Sequence, residues 1–362
     1  MIQVVDRPES VLEYSRYTPD ELRERIVARK TALNAVILGH NYQRVEIQAV
    51  SDYLGDSLGL SQEAAETDAD VIVFCGVHFM AETAKILSPR KVVLMPDLRA
   101  GCPMADFVTG PGLRRLKTAF PEAAVISYVN STAEVKAESD ICCTSSNAVE
   151  VVDSFPEHRT ILFVPDRNLA RYTAERTGRP YLTTTQLDAL GGEPVPQGTI
   201  IAWDGYCYVH DDLVLDELAV ARARYPEAKV VIHPEARREL LEQADFVTST
   251  SRMVQIAETH DALIIGTERG LIDRLQQRFP EKTLIPLSGA AICGNMKMNT
   301  LAKLAWSLDH MRHEIVLDED IRTRAEKALR GMLELSGGWR APTAAEEAME
   351  IADLRGSGCG CA

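Results

Sequence analysis

The sequence predicts an α/β protein: three βαβαβ units related by a pseudo-threefold axis, each a three-layer α/β/α domain, with the functional site at their common interface. Three observations carry this. Short, β-branched apolar runs alternate with helical patterns along the whole chain. The alternation repeats three times in the same order. Each repeat closes with one cysteine just past its third strand.

The first element is a helix. Thr18 is placed to cap it, Pro19 fits the first helical position, and Glu21 completes a capping box. The first unit then opens with AVILG (35–39), ending at His40-Asn41-Tyr42. The second opens with AVIS (124–127), ending at Tyr128-Val129-Asn130, and the third with VVI (230–232), ending at His233-Pro234-Glu235. A helix follows each strand. Next comes a hydroxyl-rich turn: Gly55-Asp56-Ser57, Thr144-Ser145-Ser146 and Ser249-Thr250-Ser251. Another helical pattern leads to the second strands, VIVF (71–74), ILFV (161–164) and ALII (262–265). A last helix leads to the third strands, VVLM (92–95), TIIAW (199–203) and TLIPL (283–287).

Beyond these lie Cys102 in AGCPMAD, Cys207 in DGYCYVH and Cys293 in AAICGNM. From His40, Asn130 and His233 to these cysteines the spacings are 62, 77 and 60 residues. The middle surplus is assigned to a loop insertion over 177–198, rich in Gly, Pro and Thr. The expected organisation is an N-terminal helical segment (1–33), units at 34–122, 123–226 and 227–305, and a C-terminal helical segment with a Gly/Cys tail (306–362).

Charge and composition narrow the function. Of 362 residues, 46% are hydrophobic and 25% charged, as in ordinary globular proteins. The net charge of −14 argues against a nucleic-acid or anionic-membrane surface. The start, MIQVVDRPES, lacks a signal-peptide pattern, and no apolar run approaches the roughly 20 residues of a membrane span. The expectation is a cytoplasmic protein. Its eight cysteines, in a large chain without a signal sequence, do not read as a disulfide framework.

Each cysteine taken singly fits plain burial. Repeated α/β units also fit one continuous sheet with its cysteines scattered over loops. Convergence instead gives each lone cysteine its partners, because open α/β sheets bind ligands beyond their strand C-termini. Zinc sites are commonly built from local CxxC or HxxxH pairs, which are missing here. Three distant cysteines with no fourth suit a [4Fe–4S] cluster with one iron lacking a protein ligand, a Lewis acid fit for dehydration. Ser57, Ser145 and Thr250 read either as N-caps or as anion-binding groups at helix starts. His40 and His233 read as structural or as carboxylate- and proton-handling groups. Glu235 is a candidate general acid/base, with Pro234 leaving its geometry relative to His233 open. Tyr42 and Tyr128 read as oxyanion donors or as packing.

At this point the residues resemble the quinolinate synthase family, [4Fe–4S] enzymes of bacterial NAD biosynthesis. The matching segments are GHNYQ (39–43), GDSLGLS (55–61), AGCPMAD (100–106), SYVN (127–130), CTSSNA (143–148), WDGYCYVH (203–210), HPE (233–235), TSTS (248–251), GTE (266–268) and CGNMKMNT (293–300). The resemblance implies a transferase that condenses iminoaspartate with dihydroxyacetone phosphate, giving quinolinate, phosphate and two waters. It implies Cys102, Cys207 and Cys293 as cluster ligands. His40, Ser57, Tyr128, Asn130, Ser145, His233 and Thr250 fall at substrate-contacting positions, and Tyr42 and Glu235 at acid/base positions. It also implies functional coupling to the enzyme that supplies iminoaspartate. One departure stands out: some members carry CxxCxxC around the third ligand, whereas Cys293 is alone in its run. Cys75, Cys142 and Cys143 are expected to be buried, and the tail cysteines Cys359 and Cys361 to lie in a disordered glycine-rich end. An aconitase-type [4Fe–4S] hydro-lyase acting on a small polycarboxylate is the competing enzyme reading. A cluster-binding sensor without turnover is the competing non-enzyme reading.

Overall fold

The protein is described here by a computed structural model covering residues 10–337. Cys359 and Cys361 lie outside the described residues.

Among the described residues there are three all-parallel sheets. The first holds β1 (Ala35–His40), β2 (Tyr53–Gly55), β3 (Val71–Cys75) and β4 (Val92–Leu94), in the order β2-β1-β3-β4. The second holds β5 (Ala124–Tyr128), β6 (Ile141–Cys143), β7 (Ile161–Val164), β8 (Tyr181–Thr183) and β9 (Ile200–Ala202), ordered β6-β5-β7-β9-β8. The third holds β10 (Lys229–Ile232), β11 (Phe246–Val247), β12 (Ala262–Gly266) and β13 (Thr283–Pro286), ordered β11-β10-β12-β13. The opening strand of each unit sits inside its sheet and is apolar almost throughout, as a parallel strand covered on both faces must be. The chain steps first to one side and then to the other, which opens a ligand crevice at the strand ends.

Each unit carries a short extra strand beside its opening strand, and the second unit adds a further one, β8. The extra strands β2, β6 and β11 are two or three residues long, too short to show a period in the sequence. An aspartate pins each of them. Asp52, Asp140 and Asp245 each accept at 2.8 Å from a backbone N–H of the opening strand, at Ile37, Val125 and Val230 respectively. The pairings His40↔Gly55, Tyr128↔Cys143 and Ile232↔Val247 then deliver the hydroxyl turns beside the ends of the opening strands.

The cysteine loops repeat as closely. The backbone N–H groups of His78, Arg167 and Arg269, each opening the helix after its unit's second inner strand, donate at 2.8 Å to Ala100, Gly205 and Ala291. Each acceptor lies two residues before its cysteine. The carbonyls of Cys102, Cys207 and Cys293 in turn accept from Asp106, Asp211 and Lys297, four residues on. Gly205 is required by close approach, since a Cβ there would lie 2.6 Å from the Pro165 carbonyl oxygen.

Two expectations change. The 177–198 segment is not only loop: it contains β8, paired with β9, and the helix Thr184–Ala189, whose Thr183–Gln186 capping box is hidden in a threonine run. The expected 305/306 boundary falls inside one helix, Leu301–His310. That helix packs Leu304 and Leu308 with Leu22 and Ile26 of helix Pro19–Ala32, which carries the expected Thr18 cap, against the first sheet. Helix Glu319–Leu335 inserts Ala325, Leu329, Met332 and Leu333 into the core shared by the first two units. Cys75, Cys142 and Cys143 are buried, as expected.

Asp97 anchors the approach to Cys102. It is 4% exposed and accepts from the Arg99 backbone and guanidinium, and from Lys303 at 2.7 Å. Burial disfavours its charge, but the bonds from Arg99 and Lys303 prevail and hold the carboxyl well below the usual range. Because the folded-state value is depressed, the stabilisation is present above the unfolded value near 3.9 and is lost as pH falls towards the folded one. Asp97→Asn is expected to cost about 2 kcal/mol at neutral pH. In urea unfolding the gap from wild type should narrow below about pH 4; a gap that widens there contradicts this account.

Candidate functional site

The strand ends, hydroxyl turns and cysteine loops of all three units line one cavity of about 750 Å³, its mouth included. The structure brings together there every site residue named from the sequence: His40, Tyr42, Ser57, Cys102, Tyr128, Asn130, Ser145, Cys207, His233, Glu235, Thr250 and Cys293. Among the lining residues there is no lysine or arginine. Any anion held here is therefore met by neutral donors and histidines.

His40 and His233 are built alike. A backbone N–H two residues on, from Tyr42 and Glu235, points at each Nδ1 at 3.2 and 3.4 Å. Burial lowers His40 to about 4 and His233 to about 3, so both are neutral at pH 7. With Nδ1 accepting, the proton sits on Nε2, and each ring is a fixed N–H donor.

The three hydroxyls are largely relieved of capping. Asp56 caps helix Ser57–Glu66 through Gly59, and Ser249 stands at the cap position before helix Thr250–Thr259. Ser57 and Thr250 thus begin ten-residue helices whose dipoles favour an anion. Ser145 differs from the expectation, because it lies within the turn before helix Ala148–Asp153, which is only six residues long and has Asn147 at its cap position. Its contribution is a hydroxyl rather than a dipole. Asn41, held by Arg274 at 2.9 Å, donates to Thr250 Oγ1 at 3.1 Å. The buried Oδ1 of Asn130 has no protein partner among the described residues, as a group that faces ligand would not.

A relay crosses all three units. Glu235 accepts from the Tyr128 hydroxyl on Oε1 and from His210 Nδ1 on Oε2, the latter at 2.7 Å. His210 Nε2 meets Thr267 Oγ1 at 2.9 Å and the Tyr42 hydroxyl at 3.3 Å, and Tyr42 meets Thr267 at 2.7 Å. His210 stacks on His233, with ring centroids 4.4 Å apart. Burial works against a charged Glu235, but His233, His210 and Tyr128 outweigh it and keep the carboxylate ionised. Burial, reinforced by that carboxylate, raises both tyrosines well above the ordinary phenol value, so they remain protonated. The sequence reading missed His210 and Thr267, although both stand in quoted segments, WDGYCYVH and GTE.

Cys102, Cys207 and Cys293 are half-buried free thiols. Burial pushes Cys102 up to about 12 and raises Cys207 and Cys293, and each lies in the field of the others. Clustered buried thiols become thiolates when a cation joins them, so the donor set fits a soft metal centre. A second donor set overlaps it: ligand atoms of Cys207, His210 and Glu235 lie within 4.8 Å of one another. Both ring nitrogens of His210 are already engaged in the relay, so a metal held by this second set would have to displace one of their partners.

The family model described as Quinolinate synthetase A protein matches residues 24–334. A Dehalococcoides mccartyi protein named quinolinate synthase is 48% identical over 314 residues, covering 86% of this chain and 97% of its own length. Quinolinate synthase 1 of Methanosarcina acetivorans is 48% identical over 315 residues, covering 86% and 97%. The Trichodesmium erythraeum quinolinate synthase is 44% identical over 325 residues, covering 88% and 95%. No helix among the described residues is long and apolar enough to cross a membrane.

Proposed function

This chain belongs to the quinolinate synthase family, and from that premise we propose that it makes quinolinate for NAD biosynthesis by condensing iminoaspartate with dihydroxyacetone phosphate in the cavity between its three units. One C–N and one C–C bond form, the phosphate ester C–O bond breaks, and two waters leave. Atoms balance without an external oxidant. The observation that carries the reading is the gathering of all twelve expected side chains in one cavity.

Cys102, Cys207 and Cys293 would hold a [4Fe–4S] cluster, which when bound supplies Lewis acidity to a substrate oxygen. The chain's own residues do the rest. His40 and His233 donate Nε2–H to carboxylate. Ser57 and Thr250, at their helix starts, together with Ser145 and Asn130, hold phosphate and the remaining carboxylate. The Glu235 carboxylate is the base of the relay, reached through Tyr128 on one oxygen and through His210 on the other. Tyr42, kept protonated by burial, is the acid that delivers a proton to a leaving hydroxyl and is reprotonated through Thr267 and His210. Because an imine hydrolyses in water, the reading also favours coupling to the enzyme that supplies iminoaspartate.

The test is anaerobic. Reconstituted protein, given oxaloacetate, ammonia and dihydroxyacetone phosphate, is expected to release quinolinate and phosphate in equal amounts. Turnover of a polycarboxylate alone, with no phosphate released, would replace this reading with the hydro-lyase one.

A further inference from the structure

We propose that Glu268 and Lys297 act as a positioning pair that ties the Cys293 loop of the third unit to Tyr42 of the first. Glu268 lies two residues past the end of β12 and is fully buried. As the cap of helix Arg269–Arg278 it needs one oxygen for Gly270 N–H, which it engages at 2.6 Å. Its other oxygen accepts the backbone N–H of Cys293 at 3.0 Å. The Lys297 ammonium bridges both oxygens, at 2.9 and 3.1 Å, and donates to the Tyr42 carbonyl at 2.5 Å. Lys297 N–H in turn donates to the Cys293 carbonyl at 3.2 Å. The turn from Cys293 to Lys297 is thereby closed into a ring through Glu268. Only donors converge on this side chain, so it serves as a carboxylate.

Two further observations mark the pair as built for this place. A Cβ on Gly270 would lie 2.6 Å from Lys297 Nζ, 2.8 Å from Glu268 Oε2 and 2.9 Å from the Gln43 carbonyl oxygen, so the close approach demands glycine. The pseudo-symmetry also breaks here. At the position of Glu268 the first unit has apolar Val77. The second has Asp166, which accepts from Leu169 N–H and leaves its other oxygen without a partner. At the position of Lys297 they have Asp106 and Asp211. The ion pair therefore serves the unit that packs against Tyr42, and a shift in it moves a metal-binding cysteine and the catalytic tyrosine together.

The inference rests on Cys293 as a cluster ligand, and its test separates the two claims. Glu268→Gln and Lys297→Met are compared with wild type, with the double variant, and with Arg269→Ala on the exposed neighbouring side chain. Each single variant is expected to speed iron loss to a chelator about 10- to 100-fold. Each should lower kcat while KM stays within about twofold. The double variant should be no worse than the worse single one, because the two side chains act as a unit. Arg269→Ala should match wild type. In the cluster-free protein, Glu268→Gln should hasten alkylation of Cys293 and leave Cys102 unchanged. Iron release at the wild-type rate in both single variants, or effects that multiply in the double, would overturn the pair. If wild type itself holds no iron, the cluster reading fails, and the alkylation rates still decide the pair.

Discussion

Cys102→Ser, Cys207→Ser and Cys293→Ser are each expected to lose the iron–sulfur centre and all quinolinate formation. A serine hydroxyl is a hard, weakly acidic donor and does not replace a thiolate on iron. Two remaining thiolates leave a second iron open, where a chelator or oxygen strips the cluster. Iron content after anaerobic reconstitution should fall from about four per chain to below about one. Three controls separate ligation from burial. Cys75, Cys142 and Cys143 lie fully buried on β3 and β6, so replacing them disturbs packing and not iron. Cys359→Ser and Cys361→Ser should keep the centre. The overlapping Cys207, His210 and Glu235 set makes the opposite prediction, since a metal held there would survive Cys102→Ser and Cys293→Ser and depart only with Cys207→Ser. Mössbauer spectra of the three variants decide between the two donor sets. Retention of four irons by Cys102→Ser would remove the threefold cysteine argument altogether.

That argument was legible in the sequence because parallel α/β units force it. Their loops past the strand C-termini share one side, so a residue type recurring just beyond the third strand of three repeats recurs in one place. His40 and His233 were legible for the same reason, as polar residues ending apolar runs. What was hidden depends on contacts between units. Tyr42 meets His210 across 168 residues and Thr267 across 225, and no local period connects them. Glu268 caps its own helix with one oxygen, and its second oxygen serves a backbone N–H 25 residues away. The short strands β2, β6 and β11 escaped for want of length, yet the repeated Asp52, Asp140 and Asp245 were visible as letters. Only their bonds to the neighbouring strand gave those aspartates meaning.

Glu235→Gln tests the relay at its most sensitive point. The substitution keeps shape and volume, so cluster content and fold should be unchanged. It cannot keep the hydrogen bonds. Both Glu235 oxygens accept, one from Tyr128 and one from His210. An amide offers one acceptor and one donor, so one partner must reverse. If the amide N–H faces His210, the imidazole turns to its other tautomer, Nε2 becomes a donor, and Thr267 and Tyr42 lose the acceptor through which a proton returns. If it faces Tyr128, that phenol loses its acceptor. Either way the negative charge that holds the relay is gone. Substituting the amide for the carboxylate of a hydrolase triad drops turnover about 10⁴-fold through the same tautomer fault, and losing a general acid or base costs 10²–10⁴-fold. Glu235→Gln is therefore expected to lower kcat by about 10²–10⁴ with KM little changed, because the proposed function assigns the substrate carboxylates to His40, His233 and the hydroxyls rather than to Glu235. Stopped-flow release of phosphate and quinolinate, alongside iron analysis of the same sample, reads both sides. A variant with full iron and wild-type turnover would mean the carboxylate positions nothing that reacts, and the polar cavity would then fit a cluster-binding sensor better than an enzyme.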